Sequence, residues 1–103
     1  MGVINVSQED LSMGLSISNL YYCLGDQMIY LQRFKDNSGN EPVTKYRYHC
    51  SFEVYASYQA KQDNKQYIKT LYVEAIVDNN QVDAYTLMYN KLKEQVSNYV
   101  DVL

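Results

Sequence analysis

Residues 46–58 read YRYHCSFEVYASY, and the reading of this stretch decides the fold. Its even positions are Tyr46, Tyr48, Cys50, Phe52, Val54, Ala56 and Tyr58. Its odd positions are Arg47, His49, Ser51, Glu53, Tyr55 and Ser57. Apolar and polar side chains alternate with few exceptions over the whole stretch. That is the period of a long half-buried β-strand, and a helix with 3.6 residues per turn cannot sort the same residues onto two faces. A strand of this length needs partners, and the flanking sequence supplies candidates.

Upstream, LSISNLYYCLGDQMIYLQRF (15–34) holds Gly25-Asp26 between two apolar runs. Gly-Asp is a two-residue hairpin signal. Such a hairpin sets Tyr22 against Ile29 and Leu20 against Leu31. Tyr21, Cys23, Met28, Tyr30 and Phe34 then share the opposite face. The following KDNSGNEPV (35–43) is an exposed loop by composition. Downstream, AKQDNKQ (60–66) is a polar turn region, and YIKTLYVEAIV (67–77) is a fourth strand. Asn80 and Asp83 offer an N-cap and a first-turn carboxylate. From there Tyr85, Met88, Tyr89, Leu92, Val96, Tyr99 and Val100 recur at three and four, which predicts an amphipathic helix over 80–99. Residues 1–12 carry weak signals. SQEDL (7–11) has capping-box spacing for a single helical turn, and a flexible extended arm is the preferred alternative.

The predicted architecture is α+β. One domain spans 1–103, with an antiparallel β-meander of about four strands (15–77) and a C-terminal amphipathic helix packed on one face. The facing set is Leu20, Tyr22, Leu24, Ile29, Leu31, Tyr48, Cys50, Phe52, Val54, Leu71, Val73 and Ala75, meeting Tyr85, Met88, Leu92 and Val96. One helix covers one face of such a sheet. The other face is left open and carries tyrosines. The candidate interface residues there are Tyr21, Met28, Tyr30, Phe34, Tyr55, Ile68, Tyr72 and Ile76. The chain has twelve tyrosines and no tryptophan. Tyrosine is enriched at protein interfaces, and contiguous apolar exposure marks an interaction site.

Composition narrows the function classes. Nine basic and twelve acidic residues give a net charge of −3, with no basic footprint for nucleic acid. No apolar run has the length of a membrane span. Cys23 and Cys50 lie in apolar strand-like runs at a spacing that matches no metal or redox motif, so both read as buried free thiols. His49 is the single histidine, and strand alternation points it away from neighbouring Cys50. Glycine-rich phosphate loops and a Gly-x-Ser-x-Gly elbow are absent. No catalytic residues, cofactor, metal or small-molecule substrate are indicated, and the reading is of a protein that is not an enzyme.

MGLSISNLYY (13–22), FEVYAS (52–57) and AYTLMYNKLKEQVSNYVDV (84–102) resemble segments of small proteins encoded among the tail and structural genes of tailed bacteriophages. The doubled Tyr21-Tyr22 and the cysteine at 23 depart from that pattern. The resemblance implies a virion or tail-associated structural or assembly protein, made in the host cytoplasm, with copies of itself or other virion proteins as partners. The alternative function is a small phage-encoded inhibitor of a host defence enzyme.

Overall fold

A computed structural model describes residues 2–10, 16–96 and 98–102. The long strand is present, at 43–55 instead of 46–58, and organises everything else. β6 (Val43–Tyr55) runs thirteen residues. One of its edges takes β7 (Lys69–Val77), with Tyr46 opposite Val77 and Val54 opposite Lys69. The other edge takes two strands end to end. β5 (Tyr30–Asp36) pairs with Val43 to His49, and β4 (Leu20–Cys23) pairs with Glu53 to Tyr55. The sheet then continues through β1 (Gly2–Asn5) to β8 (Tyr99–Val102). β2 (Glu9–Asp10) and β3 (Ser16–Ile17) form a separate small ribbon. Among the described residues two helices complete the α+β fold: α1 (Tyr58–Gln62) and α2 (Ala84–Gln95). The strands thus exceed the four expected.

The expected hairpin at Gly25-Asp26 does not form. Both flanking runs are antiparallel to β6 along the same edge, so they run in the same direction and cannot pair with each other. The turn chemistry is still used. Gly25 sits at φ +55, and the Gln27 N–H donates to the Leu24 carbonyl at 2.8 Å. The chain takes seven residues from Cys23 to Tyr30, while β6 takes four from Glu53 to His49. The surplus of three makes a wide bulge. The bulge keeps Leu24 in the core and sends Tyr30 onto the far end of β6. A side chain at 25 would meet the Glu53 carboxylate and require a left-handed backbone. Gly25→Ala is therefore expected to destabilise the fold by about 2 kcal/mol in urea unfolding.

β1 replaces the expected N-terminal arm. Val3 lies between Tyr22 of β4 and Asp101 of β8 and is fully buried. Four residues of GVIN are too short to display a period, so the strand is visible only through its partners. Glu9 of SQEDL lies in β2 instead of a helical turn; Leu11 lies outside the described residues. Glu9 ties three elements together. It accepts hydrogen bonds from Asn5 Nδ2 (2.6 Å), from the Tyr22 hydroxyl, and from Lys69 Nζ (3.1 Å).

α2 is shorter than the predicted 80–99. Asp83, and not Asn80, is the N-cap; its Oδ1 accepts from the backbone N–H of Tyr85 at 3.1 Å. The helix stops at Gln95, and Tyr99–Val102 pairs with β1 as β8. Strand pairing here overrides a helical spacing that Tyr99 and Val100 only extended. Met88, Tyr89, Leu92 and Val96 pack on Leu20, Tyr22, Tyr48, Cys50, Phe52, Val54, Val73 and Ala75. The predicted facing set thus forms the core, apart from Leu31 and Tyr85, which stay exposed. Phe52 meets Tyr89 edge-on at 4.9 Å, and the Tyr89 hydroxyl accepts the Leu24 N–H at 3.1 Å.

β5 extends β6 away from β4, β1 and β8, so the molecule is elongated. Its extents are 49 × 26 × 20 Å and its radius of gyration is 15.9 Å. A compact chain of this length would be near 13 Å. The β5–β6–β7 wing is where the candidate site lies.

Candidate functional site

Directly opposed residues in an antiparallel sheet share a face. The register therefore places Tyr30, His49 and Glu74 on one rung of the face turned away from α2, and Gln32, Arg47 and Ile76 on the next. Phe34 opposes Lys45, and Ser51 opposes Tyr72. Tyr21, Cys23, Glu53 and Tyr55 belong to the same face at its other end.

The two ends differ. At the β4 end, Tyr21, Cys23 and Tyr55 form a second buried cluster with Ile4 and Val102 against it. α1 closes it. Ser57 caps this short helix by accepting the Ala60 N–H at 3.0 Å, and the Tyr58 ring meets Tyr21 edge-on at 5.0 Å. Lys61 stands over the Tyr55 ring at 5.5 Å. Tyr21 and Tyr55 are thus inside the protein, which corrects their expected place on an open surface. The reason is α1, which occupies part of the segment read as a polar turn. The signal for it was Ser57 followed by five residues free of glycine and proline.

Glu53 is buried under this cluster, with its carboxylate accepting from the Tyr55 hydroxyl at 2.7 Å and from Gln27 Nε2 at 3.1 Å. Beside it, a cleft of about 320 Å³ is lined by residues including Cys23, Tyr58 and Lys61. Burial pushes the Cys23 thiol up, and burial raises Cys50 to about 11. Both cysteines are free and buried, as expected, and both are neutral thiols at ordinary pH. Cys50 lies in the core while His49 lies on the opposite face, so the two do not meet.

At the β5–β7 end the face is open. The His49 ring stacks on Tyr30 (centroids 5.3 Å, interplanar angle 17°) and leans on Tyr72 on its other side (5.7 Å, 36°). Tyr30 is 53% exposed and Tyr72 54%, with Ile76 beside them at 49%. Polar groups brace this aromatic row. The Tyr72 hydroxyl donates to Glu74 Oε2 at 2.9 Å, and that hydrogen bond raises the phenol above its usual value. The Arg47 guanidinium lies over the Phe34 ring at 4.9 Å and donates to Gln32 Oε1 at 3.0 Å. Arg47 Nε is buried 3.8 Å from Glu74 Oε2, a charge contact without a hydrogen bond.

Of the expected interface residues, the structure brings Tyr30 and Tyr72 together around His49, with Ile76 opposite Arg47 on the next rung and Phe34 half-buried beneath Arg47. Ile68 is exposed just before β7, and Met28 is exposed in the bulge. Alternation puts His49 and Arg47 on the odd-position side of β6; the stacking and the cation–π contact need the cross-strand register, which no local pattern carries.

Among the described residues no cluster of three or more His, Cys, Asp or Glu side chains could hold a metal ion. Among them, too, no helix is long and apolar enough to cross a membrane. No protein-family model, curated protein or solved structure matches this chain.

Proposed function

We propose that this chain is a non-enzymatic structural or assembly protein that acts through protein–protein contacts of the open half of its tyrosine-bearing sheet face. The observation that carries the reading is the Tyr30–His49–Tyr72 row with Ile76. These rings are held in register by three neighbouring strands, so they lose little conformational freedom on docking. The other end of the same face is roofed by α1, and this end is not. The resemblance of residues 13–22, 52–57 and 84–102 to tail and structural proteins of tailed bacteriophages supports a place in a virion, with copies of itself or other virion proteins as partners.

Tyr30→Glu tests the face. Tyr30 is exposed, so the variant is expected to keep the wild-type unfolding free energy to within about 0.5 kcal/mol. Its incorporation into particles is expected to be lost. Wild-type assembly by this variant would show that another surface is used. Recovery from host lysate with one stoichiometric host enzyme, and absence from purified particles by mass spectrometry, would instead favour an inhibitor of a host defence enzyme.

A further inference from the structure

Among the described residues the sheet has three outer edges, and they are not alike. β8 is four residues long, and a short edge strand resists pairing with another chain. β5 carries Arg33, Lys35 and Asp36 within seven residues, and charges on an edge also discourage pairing. β7 has neither protection. It runs nine residues, KTLYVEAIV, with no proline or glycine and charges only at Lys69 and Glu74. Among the described residues no backbone hydrogen bond reaches its outer edge.

Resting on the assembly reading above, we propose that the unit that docks is a pair of copies of this chain, joined by antiparallel pairing of β7 with β7 about a two-fold axis at Tyr72, so that the open faces of both copies are presented together. The choice of register follows from the side chains. With Tyr72 opposite Tyr72, Ile68 faces Ile76 twice and Thr70 faces Glu74 twice on the open face. On the core side Leu71 faces Val73. Every apolar residue of the open face meets an apolar one, and no like charges are opposed. Centring one residue earlier sets Glu74 against Ile68 and Lys69 against Val73. Centring on Glu74 opposes the two carboxylates. The Tyr72 register also makes the two open faces continuous, so the Tyr30–His49–Tyr72 rows of both copies lie in one sheet.

Cysteine cross-linking reads the register. Opposed Cα atoms lie about 4.5–5.5 Å apart, within disulfide reach. Tyr72→Cys is expected to form a covalent dimer under mild oxidation. Thr70→Cys alone and Glu74→Cys alone are each expected to give about tenfold less, since each position lies about 13 Å from its own copy. Mixing those two variants is expected to restore the dimer. The native cysteines are buried, so the wild-type chain is the blank. Cross-linking of Thr70→Cys as readily as Tyr72→Cys would overturn the register. A monomeric wild-type protein, with no cross-link at any of these positions, would overturn the pairing. In that case, loss of a different partner on Tyr30→Glu would leave the assembly reading standing; no effect of Tyr30→Glu would remove that reading as well.

Discussion

Phe52→Ala is expected to destabilise the protein by about 4 kcal/mol, the range for removing a fully buried aromatic ring. Phe52 is 0% exposed and sits on β6 where the sheet meets α2. Its ring fills the space against Tyr89, whose hydroxyl holds the Leu24 N–H at the start of the bulge. Truncation therefore leaves a cavity at the point where helix, long strand and bulge meet. Urea unfolding followed by circular dichroism reads the effect. A loss below about 1 kcal/mol would mean that the core is not centred on this contact. Met28→Ala in the bulge is the control, and its exposed side chain is expected to cost little.

Glu9→Ala is the second large effect, at about 3 kcal/mol. It removes the acceptor shared by Asn5, Tyr22 and Lys69, and the first two are themselves buried. Each buried donor left without a partner costs about 1–3 kcal/mol. The same carboxylate sets a pH dependence. Burial pushes Glu9 up, but the hydrogen bonds from Tyr22, Asn5 and Lys69 and the Lys69 charge outweigh it, so its folded value lies below the ordinary 4.5. A depressed folded value means that the native state favours the ionised form. The stabilisation is present above 4.5 and is lost as pH falls through the lower folded value. Stability measured between neutral pH and pH 3 is expected to fall less steeply in Glu9→Gln than in the wild-type chain. Equal slopes would show that Glu9 is not the linked group.

The elements legible in the sequence were those whose signal is local. β6 announced itself by alternation, and α2 by Met88, Leu92 and Val96 at helical spacing. The segregation of His49 from Cys50 follows from the same alternation. What was not legible depended on partner choice. The runs around Gly25-Asp26 suit a hairpin with each other or two stations along β6. Only the wider sheet, with β1 and β8 added beyond β4, decides for the second. Tyr99 and Val100 continue a helical spacing and also suit a strand; pairing with β1 selects the strand. At the site, alternation put Tyr30, Tyr55, Tyr72 and Ile76 on one face correctly. It could not show that α1 folds over Tyr55 and Tyr21, because a five-residue helix has too short a pattern to stand out from a polar turn.

The open half of the face is tested most directly by oxidative footprinting of the tyrosines in free and assembled protein. If Tyr30 and Tyr72 line the contact, both lose reactivity on assembly, while buried Tyr21 and Tyr55 stay unreactive in both states. Undiminished reactivity of Tyr30 and Tyr72 in fully assembled material would contradict a docking role for this face.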